Sequence, residues 1–203
     1  EETYKSKVIV LDRKPFREHD ARATVYSLEK GKMDFVVRGA KKIESKLSGH
    51  LEPFCLSNIM IVRGRQLDYI GSAATENAFI NLKGDFDKIN CAGEAVRVFK
   101  KIVKNNEPDE KLFCLLNDFF NILNSRLPLI ANYELFINFF ILKLMVCLGY
   151  MPRLYSCANC GEKISPRGNF ASSRDGFVNR ADRFGKNDNF IYDFAYLKSS
   201  GSK

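Results

Sequence analysis

The stretch that decides the fold is KMDFVVRGAKKIESKLSGHLEPF, residues 32–54. From residue 32 to residue 38 apolar side chains alternate with polar ones, as in a strand with one buried face. Gly39 then opens a basic loop, and a second apolar run begins at Phe54. Such a loop has two interpretations, an edge that contacts phosphate groups or an ordinary solvated loop. Its cations are Arg38, Lys41, Lys42 and Lys46.

The surrounding sequence predicts a small β-domain over residues 1–83. Apolar and β-branched runs predict strands at 8–11, 22–28, 32–38, 54–63 and 67–72. Arg13-Lys14-Pro15 is expected to break the first strand, and Gly31 is expected to form a hairpin turn that needs positive φ. Five short strands fit a small closed barrel, and we predict the five-stranded Greek-key OB fold, which often binds nucleic acid.

Residues 84–152 change to a helical period and predict an α-helical domain. In the first helix, Ala95, Phe99 and Ile102 share an apolar face with Val98 and Val103. The opposite face is basic, and this stripe is either the solvated side of an amphipathic helix or a cradle for an acidic peptide or phosphates. The residues of the stripe are Arg97, Lys100, Lys101 and Lys104.

Two further helices are expected in this domain. Pro108 is predicted to open the second helix, with Asp109 and Glu110 in its first turn and a core face of Leu112, Leu115, Leu116, Phe119 and Leu123. The third helix runs from Tyr133 to Leu148 and is apolar nearly all round. Because Asn138 and Lys143 interrupt a short run, a buried central helix is favoured over a membrane span. Gly149 and Pro152 should end it.

Residues 153–203 contain half of a zinc-knuckle pattern. Cys157 and Cys160 are spaced so that two thiolates on a tight turn can reach one tetrahedral ion. Where a second Cys pair would be expected, the chain has Asn179 and Asp182, of which only Asp is a good ligand. Three interpretations stay open: a decayed zinc site, a weak site completed by Asp182, and a redox pair. We therefore expect no required cofactor, with zinc possible.

Composition limits the class of protein. The chain has 203 residues with a formal net charge of +8, and 45% hydrophobic and 28% charged residues describe an ordinary folded protein. The charge favours an anionic partner, nucleic acid before membrane. Six Cys scattered mostly through apolar runs indicate reduced thiols of a cytosolic protein, and the acidic start Glu1-Glu2 is unlike a signal peptide. No phosphate-binding glycine loop or catalytic triad pattern occurs, so we predict that the protein is not an enzyme.

Residues 4–182 resemble RecO, a family of bacterial recombination mediators. The most specific match lies between Val8 and Phe54, and a second match surrounds the Cys pair. The residues that carry the resemblance are Val10-Leu11, Glu18, Gly31-Lys32, Arg38 to Lys42, Ser45-Lys46, Gly49, Leu51, Pro53-Phe54, Leu148 to Pro152, Cys157, Cys160-Gly161, Phe170 and Gly176. Many family members have a second Cys pair after that glycine, and the chain departs from them at Asn179 and Asp182.

The resemblance implies an α+β protein with an OB barrel, a helical domain and a degenerate zinc-knuckle-like element. It also implies binding of single- and double-stranded DNA, annealing of complementary strands, and action with RecR to help RecA replace single-strand-binding protein. The acidic C-terminal tail of that protein would bind the helical domain. No membrane partner is expected, and the protein would be cytoplasmic and associated with the nucleoid.

Three hypotheses follow from the residues and the resemblance. In the first, a DNA-binding mediator contacts phosphates through Arg13, Lys14, Arg17, Lys32, Arg38, Lys41, Lys42 and Lys46. Phe16, Tyr26 and Phe35 lie near these cations, but barrel positions favour a core role for them over base stacking. The second is an adaptor that grips an acidic peptide on the stripe of the first helix and binds DNA weakly. The third, a zinc hydrolase built on Cys157 and Cys160, lacks His or Glu ligands.

Overall fold

The computed structural model describes residues 2–41, 45, 47–64, 68–126, 132–150, 156–157 and 163 with their side chains, and the backbone of 169–172, 176–179 and 191–192. The chain forms two compact units, residues 1–147 and 148–203. The first unit contains a barrel and four helices, so the predicted boundary between residues 83 and 84 falls inside it.

The first unit begins with a closed five-stranded barrel. The barrel order is β1-β2-β3-β5-β4, and all neighbours are antiparallel except β3 and β5, which pair in parallel through Val36 and Tyr69. The strands are β1 (Thr3–Phe16), β2 (Asp20–Ser27), β3 (Gly31–Val37), β4 (Leu56–Val62) and β5 (Tyr69–Asn77). The prediction of five N-terminal strands followed by helices is confirmed.

The expected break in the first strand is wrong. Strand β1 continues through Arg13-Lys14-Pro15 to Phe16, with an irregularity in its pairing between Val10 and Asp12. Strand β4 accompanies β1 only as far as Ile9, so Pro15 lies where β1 pairs with β2 alone among the strands described. Proline is tolerated on such an edge segment because one side of the backbone has no ladder to complete.

Alternation of side chains builds the barrel core. Phe35 and Val37 are buried and Met33 packs against them, as the alternating pattern predicts. Leu51, in the 3-10 turn Gly49–Leu51, is fully buried in the same cluster. Leu51 therefore anchors this turn to the barrel core.

Four helices follow the barrel: α1 (Ile80–Lys83), α2 (Phe86–Ile102), α3 (Glu110–Asn124) and α4 (Tyr133–Cys147). Asp85 and Asp109 cap α2 and α3, each accepting hydrogen bonds from two backbone amides of the first turn. Pro108 therefore stands before the cap of α3 and does not open the helix. The buried face of α3 also includes Phe113 and Phe120, which the sequence pattern missed.

The barrel packs directly on α2 and α3. The fully buried Tyr26 makes an edge contact with Phe99, 5.0 Å between ring centroids, and its hydroxyl donates to the carbonyl of Asp109 at 3.3 Å. Burial raises the pKa of Tyr26 to about 12. Gly31, at φ +72°, completes this joint, because a Cβ there would lie 2.3 Å from the carbonyl oxygen of Glu107.

Helix α4 differs from the predicted buried central helix. Phe140 and Leu144 are buried, and Phe119 of α3 lies 4.5 Å from Phe140 between ring centroids. The opposite side is exposed, with apolar residues at helical spacing: Leu135, Phe139, Leu142 and Val146. A helix that is apolar all round gives no sequence signal for which face packs, which explains the error. Gly149, at φ +84°, follows the helix end as predicted.

In the part of the chain that the structure describes, none of the helices is both long and apolar enough to span a membrane. The second unit contains a three-stranded antiparallel sheet of order β7-β6-β8. Its strands are β6 (Asn169–Ser172), β7 (Gly176–Asn179) and β8 (Ile191–Tyr192). Before the sheet, Ser156 pairs in antiparallel fashion with Lys163, and these residues bracket the CxxC segment in sequence.

Candidate nucleic-acid interface

Cations collect at one edge of the barrel, where β1 and β3 end and β2 and β5 begin. We call this surface the basic edge and define it by four cations and two aromatic rings. They are Arg13, Arg17, Arg38 and Lys41, with Phe16 and Tyr69. Strand pairing brings them together, because Phe16 pairs with Asp20, Ala21 with Val37, and Val36 with Tyr69.

Backbone hydrogen bonds fix the turns of the basic edge. The side chain of Asp20 accepts a hydrogen bond from the amide of Gly39 at 2.9 Å. The amide of Lys41 donates to the carbonyl of His19 at 3.0 Å, and its Nζ donates to the carbonyl of Arg17 at 3.0 Å. Gly39, at φ +63°, makes the turn that these contacts require. The loop after β3 is thus tied to the β1–β2 turn.

Arg13 ties the same loop to the body of β1. Its Nη1 donates to the carbonyl of Ser48 at 2.6 Å and lies 3.1 Å from the Ser48 hydroxyl. Lys14, the next residue, is exposed and lies 3.5 Å from the carboxylate of Asp12. Arg13 therefore keeps its charge beside neutral partners, whereas the charge of Lys14 is partly balanced.

Two of the cations lie over aromatic rings. The guanidinium carbon of Arg38 is 3.8 Å from the ring centroid of Tyr69, and that of Arg17 is 5.2 Å from the ring centroid of Phe16. Sequence reasoning missed Tyr69, since only the parallel pairing of β3 with β5 brings it to Arg38. The sequence does show an aromatic residue, Tyr69, shortly after the Gly64-Arg65 turn. That signal does not indicate which residue Tyr69 contacts.

The four cations of the basic edge form no ion pair within the described residues. Within residues 2–41, 45, 47–64 and 68–126, no Asp or Glu oxygen lies within 4.0 Å of Arg13, Arg17, Arg38 or Lys41. Their partners are carbonyls, a hydroxyl and rings, which leave the cationic charge in place. Clustered positive charge of this kind attracts polyanions over several ångströms.

Lys32 does not join the basic edge. Its Nζ donates to the carbonyl of Lys100 at 2.6 Å and to the carbonyl of Val103, at the C-terminal end of α2. Burial lowers the pKa of Lys32, and the nearby charge of Lys100 acts in the same direction. Its ammonium group therefore helps to join the barrel to the helix, and we leave it out of the candidate interface. Lys42 and Lys46 lie outside the described residues.

The aromatic residues near the cations have two different roles. Tyr26 and Phe35 are buried, which confirms the core role favoured for them. Phe16 is only half-buried and lies beside Arg17. Of the three aromatic residues considered in the sequence, Phe16 alone is thus part of the basic edge.

The second group of cations, the stripe on α2, is largely paired with carboxylates. Arg97 lies 2.6 Å from Glu94, Lys100 lies 2.6 Å from Asp12 of β1, and Lys104 lies 3.7 Å from Glu107. Lys101 is exposed and has no carboxylate partner in the described residues. Helix α2 ends at Ile102, so Lys104 stands beyond the helix on which it was predicted.

The pair between Lys100 and Asp12 shows how the barrel neutralises this stripe. Burial by itself would raise the pKa of Asp12, but the hydrogen bond and charge of Lys100 outweigh it, so the pKa is lowered. Lys14 contributes in the same direction. The carboxylate thus stays ionised between two cations, Lys100 of the stripe and Lys14 of β1.

The predicted metal site stays a prediction. Cys157 is buried, while Cys160 and Asp182 lie outside the described residues and only the backbone of Asn179 is described. Among the described residues, no three His, Cys, Asp or Glu side chains gather as they would around a metal ion. His50 makes a structural contact, with its Nδ1 2.9 Å from the hydroxyl of Thr75.

Comparison with known proteins identifies the family. Residues 2–79 match the family model for the recombination protein O N terminal domain, and residues 83–200 match that for its C terminal domain. Several curated relatives bear the name DNA repair protein RecO. The relative from Desulforamulus reducens is 36% identical over 79% of this chain, and that from Roseiflexus sp. is 30% identical over 78%.

The relative from Anaeromyxobacter dehalogenans is 31% identical over 77% of this chain. The chain spans 61%, 54% and 61% of the length of these three relatives, respectively. The family is one of DNA repair proteins and is not known as an enzyme family, in agreement with the non-enzymatic role predicted from the sequence. The chain therefore belongs to the RecO family of DNA repair proteins.

Proposed function

We propose that this protein is a non-enzymatic DNA-binding mediator whose basic edge contacts the phosphate backbone. The observation that supports this most strongly is the cluster of four cations with neutral partners, held in place by backbone hydrogen bonds. From their place in the sequence of the same loop, we also propose Lys42 and Lys46 as phosphate contacts, together with Lys14 of β1. Contacts to phosphates carry no base information, so binding should tolerate any sequence.

The barrel type supports the same proposal. A closed five-stranded barrel with a parallel β3–β5 pair fits the OB fold, and we propose that assignment. OB barrels bind nucleic acid on the face of strands 2 and 3 and in the loops after strands 1 and 4. The basic edge contains the β1–β2 turn, the end of β3 and the start of β5, which matches that location.

The wider role is proposed from the family. DNA repair proteins named RecO share both family models with this chain. We propose that the protein binds single- and double-stranded DNA, anneals complementary strands, and acts with RecR to help RecA load on DNA covered by single-strand-binding protein. A cytoplasmic, nucleoid-associated location follows from that role.

The test is fluorescence anisotropy of a labelled oligo-dT strand, titrated with the protein at several salt concentrations. Log affinity should fall linearly with log salt, because binding releases counterions from the DNA. Replacing Lys41 and Lys42 together by Ala should lower the steepness of that line by about 1.4, at about 0.7 per phosphate contact on single strands.

The matched control is the double variant Arg97→Ala with Lys104→Ala, which removes the same charge from the stripe on α2. Its salt dependence should stay close to that of the unchanged protein. Unchanged affinity and slope in the Lys41/Lys42 variant would show that the loop after β3 is not the DNA site.

We also propose the stripe on α2 as a weaker site for an acidic peptide, such as the tail of single-strand-binding protein. The supporting observation is that Arg97 and Lys101 are exposed, and that the exposed pairs of Arg97 and Lys104 can be exchanged for peptide carboxylates at little cost. Lys101→Glu should weaken binding of a synthetic acidic peptide while leaving oligo-dT binding within about twofold. Equal loss of both ligands would mean that one surface binds both.

A further inference from the structure

We propose that Tyr69 and Arg38 form a stacking platform that makes the basic edge prefer single-stranded DNA over duplex DNA. This inference rests on the proposed function, because it concerns which form of DNA the basic edge selects. It starts from the contact between the side chains of Arg38 and Tyr69. The guanidinium carbon of the exposed Arg38 lies 3.8 Å from the ring centroid of Tyr69, which is stacking distance.

The backbone at Tyr69 is held by the closure of the barrel. Tyr69 is the first residue of β5 and pairs with Val36 of β3. The amide of Val36 donates to the carbonyl of the preceding residue, Asp68, at 3.2 Å. The side chain of Asp68 also accepts from the amide of Gly64 at 3.2 Å, which ties down the end of β4. Because the backbone is already fixed, only the side-chain torsions of Tyr69 have to be ordered when a ligand stacks on its ring.

The side chains of Arg38 and Tyr69 give an unpaired base two ways to bind. The base can stack on the guanidinium plane, or it can take the place of the guanidinium on the ring while Arg38 turns to a phosphate. In both cases the contact uses the flat face of a base. Bases inside a duplex already cover their faces with neighbouring pairs, so duplex DNA can use the charge of the basic edge but not the platform.

The basic edge contains a second cation–ring pair. Arg17 over Phe16 is a looser pair of the same kind, with 5.2 Å between guanidinium carbon and ring centroid. The two pairs stand at the end of β1 and the start of β5, and β2 and β3 lie between these strands on one side of the barrel. Lys41, whose Nζ contacts the carbonyl of Arg17, adds a cation beside the Arg17–Phe16 pair.

The experiment compares oligo-dT with a duplex of the same length for the unchanged protein and for Tyr69→Leu. This change keeps the net charge, so the salt slope should stay the same. Affinity for oligo-dT should fall about tenfold, while affinity for the duplex should change less than twofold. Tyr69→Phe keeps the ring and should behave like the unchanged protein with both ligands.

Arg38→Lys supplies a second variant at an exposed position, where folding is not at risk. Lys keeps the charge but lacks the plane, so oligo-dT binding should weaken several-fold with an unchanged salt slope. Equal losses for oligo-dT and duplex in Tyr69→Leu and Arg38→Lys, or no loss in either, would overturn the platform and leave the proposed function standing. Failure of the unchanged protein to bind oligo-dT would overturn both.

Discussion

The basic edge of the barrel and the stripe on α2 contain the same kinds of residue in different electrostatic states. On the edge, Arg13, Arg38 and Lys41 contact carbonyls and a ring, so their charge is available to an external anion. On the stripe, Arg97 and Lys100 each lie 2.6 Å from a carboxylate. The difference shows that a run of cations in the sequence does not reveal which of them are ion-paired in the folded protein.

The joint between barrel and helices accounts for one of these ion pairs, Lys100 with Asp12, and Gly31→Ala should disrupt that joint with the largest effect on stability. An added Cβ would lie 2.3 Å from the Glu107 carbonyl oxygen at a φ of +72°, so the joint must open. We expect a loss of more than about 2 kcal/mol in the free energy of unfolding, measured with urea. The separation of α2 from β1 should also release Lys100 from Asp12.

Gly93→Ala is the matched control for that change. Gly93 lies inside α2, and a Cβ there would meet nothing within 4 Å. The same substitution should therefore stabilise the protein by about 0.4–1 kcal/mol. Similar changes in the free energy of unfolding for Gly31→Ala and Gly93→Ala would contradict a close contact between Gly31 and Glu107.

Asp12→Asn tests the electrostatic difference between the basic edge and the stripe, because it removes the carboxylate that lies near both Lys100 and Lys14. The pair with Lys100 is half-buried, and we expect a loss of at most about 1 kcal/mol in the free energy of unfolding at pH 7. The pKa of Asp12 is lowered in the folded protein, so its stabilising effect is complete above the unfolded pKa of about 3.9. The effect disappears as the pH falls through the lower, folded pKa.

Urea unfolding of Asp12→Asn and of the unchanged protein at a series of pH values tests this sign. The difference between them should be constant near neutral pH and narrow only below about pH 4. A difference that widens as the pH falls would show that Asp12 is not stabilised as an anion. The variant should also bind oligo-dT slightly better at low salt, because the stripe gains free charge.

Glu94→Gln should have the smallest effect. Its pair with Arg97 is exposed on both sides, with side-chain exposures of 51% and 68%, so solvent screens it and the midpoint of urea unfolding should stay unchanged. Oligo-dT affinity should change less than twofold, because the contacts described for Arg97 are with Glu94 and not with the basic edge. A tenfold gain in oligo-dT affinity, measured by anisotropy, would show that the stripe binds DNA. The basic edge and the stripe would then not differ in this respect.

Much of the barrel was predictable from local pattern. The alternation around Phe35 and Val37 gave the correct face, and turn residues gave the correct number of strands. The length of β1 was not predictable, because Pro15 is acceptable only where β4 has already left the strand. The exposed side of α4 was missed because Leu135 and Phe140 look alike in a helix that is apolar all round.

The candidate site was predictable only in part. Charge in the loop after β3 pointed to Arg38 and Lys41, but the role of Lys32 depends on the end of α2, which is 68 to 71 residues away along the chain. Tyr69 reaches Arg38 only through the parallel β3–β5 pair. Contacts of that range depend on how the barrel closes and on how the helices pack, and a local pattern has no information about either.

The most direct test of the central claim is a salt series with oligo-dT for two double variants of equal charge. One removes Arg38 and Lys41 from the basic edge, and the other removes Arg97 and Lys104 from the α2 side, each by Ala substitution. The account predicts that the first variant lowers the steepness of the log–log line by about 1.4 while the second leaves it nearly unchanged. Equal changes in both variants, or a larger change in the second, would contradict the account.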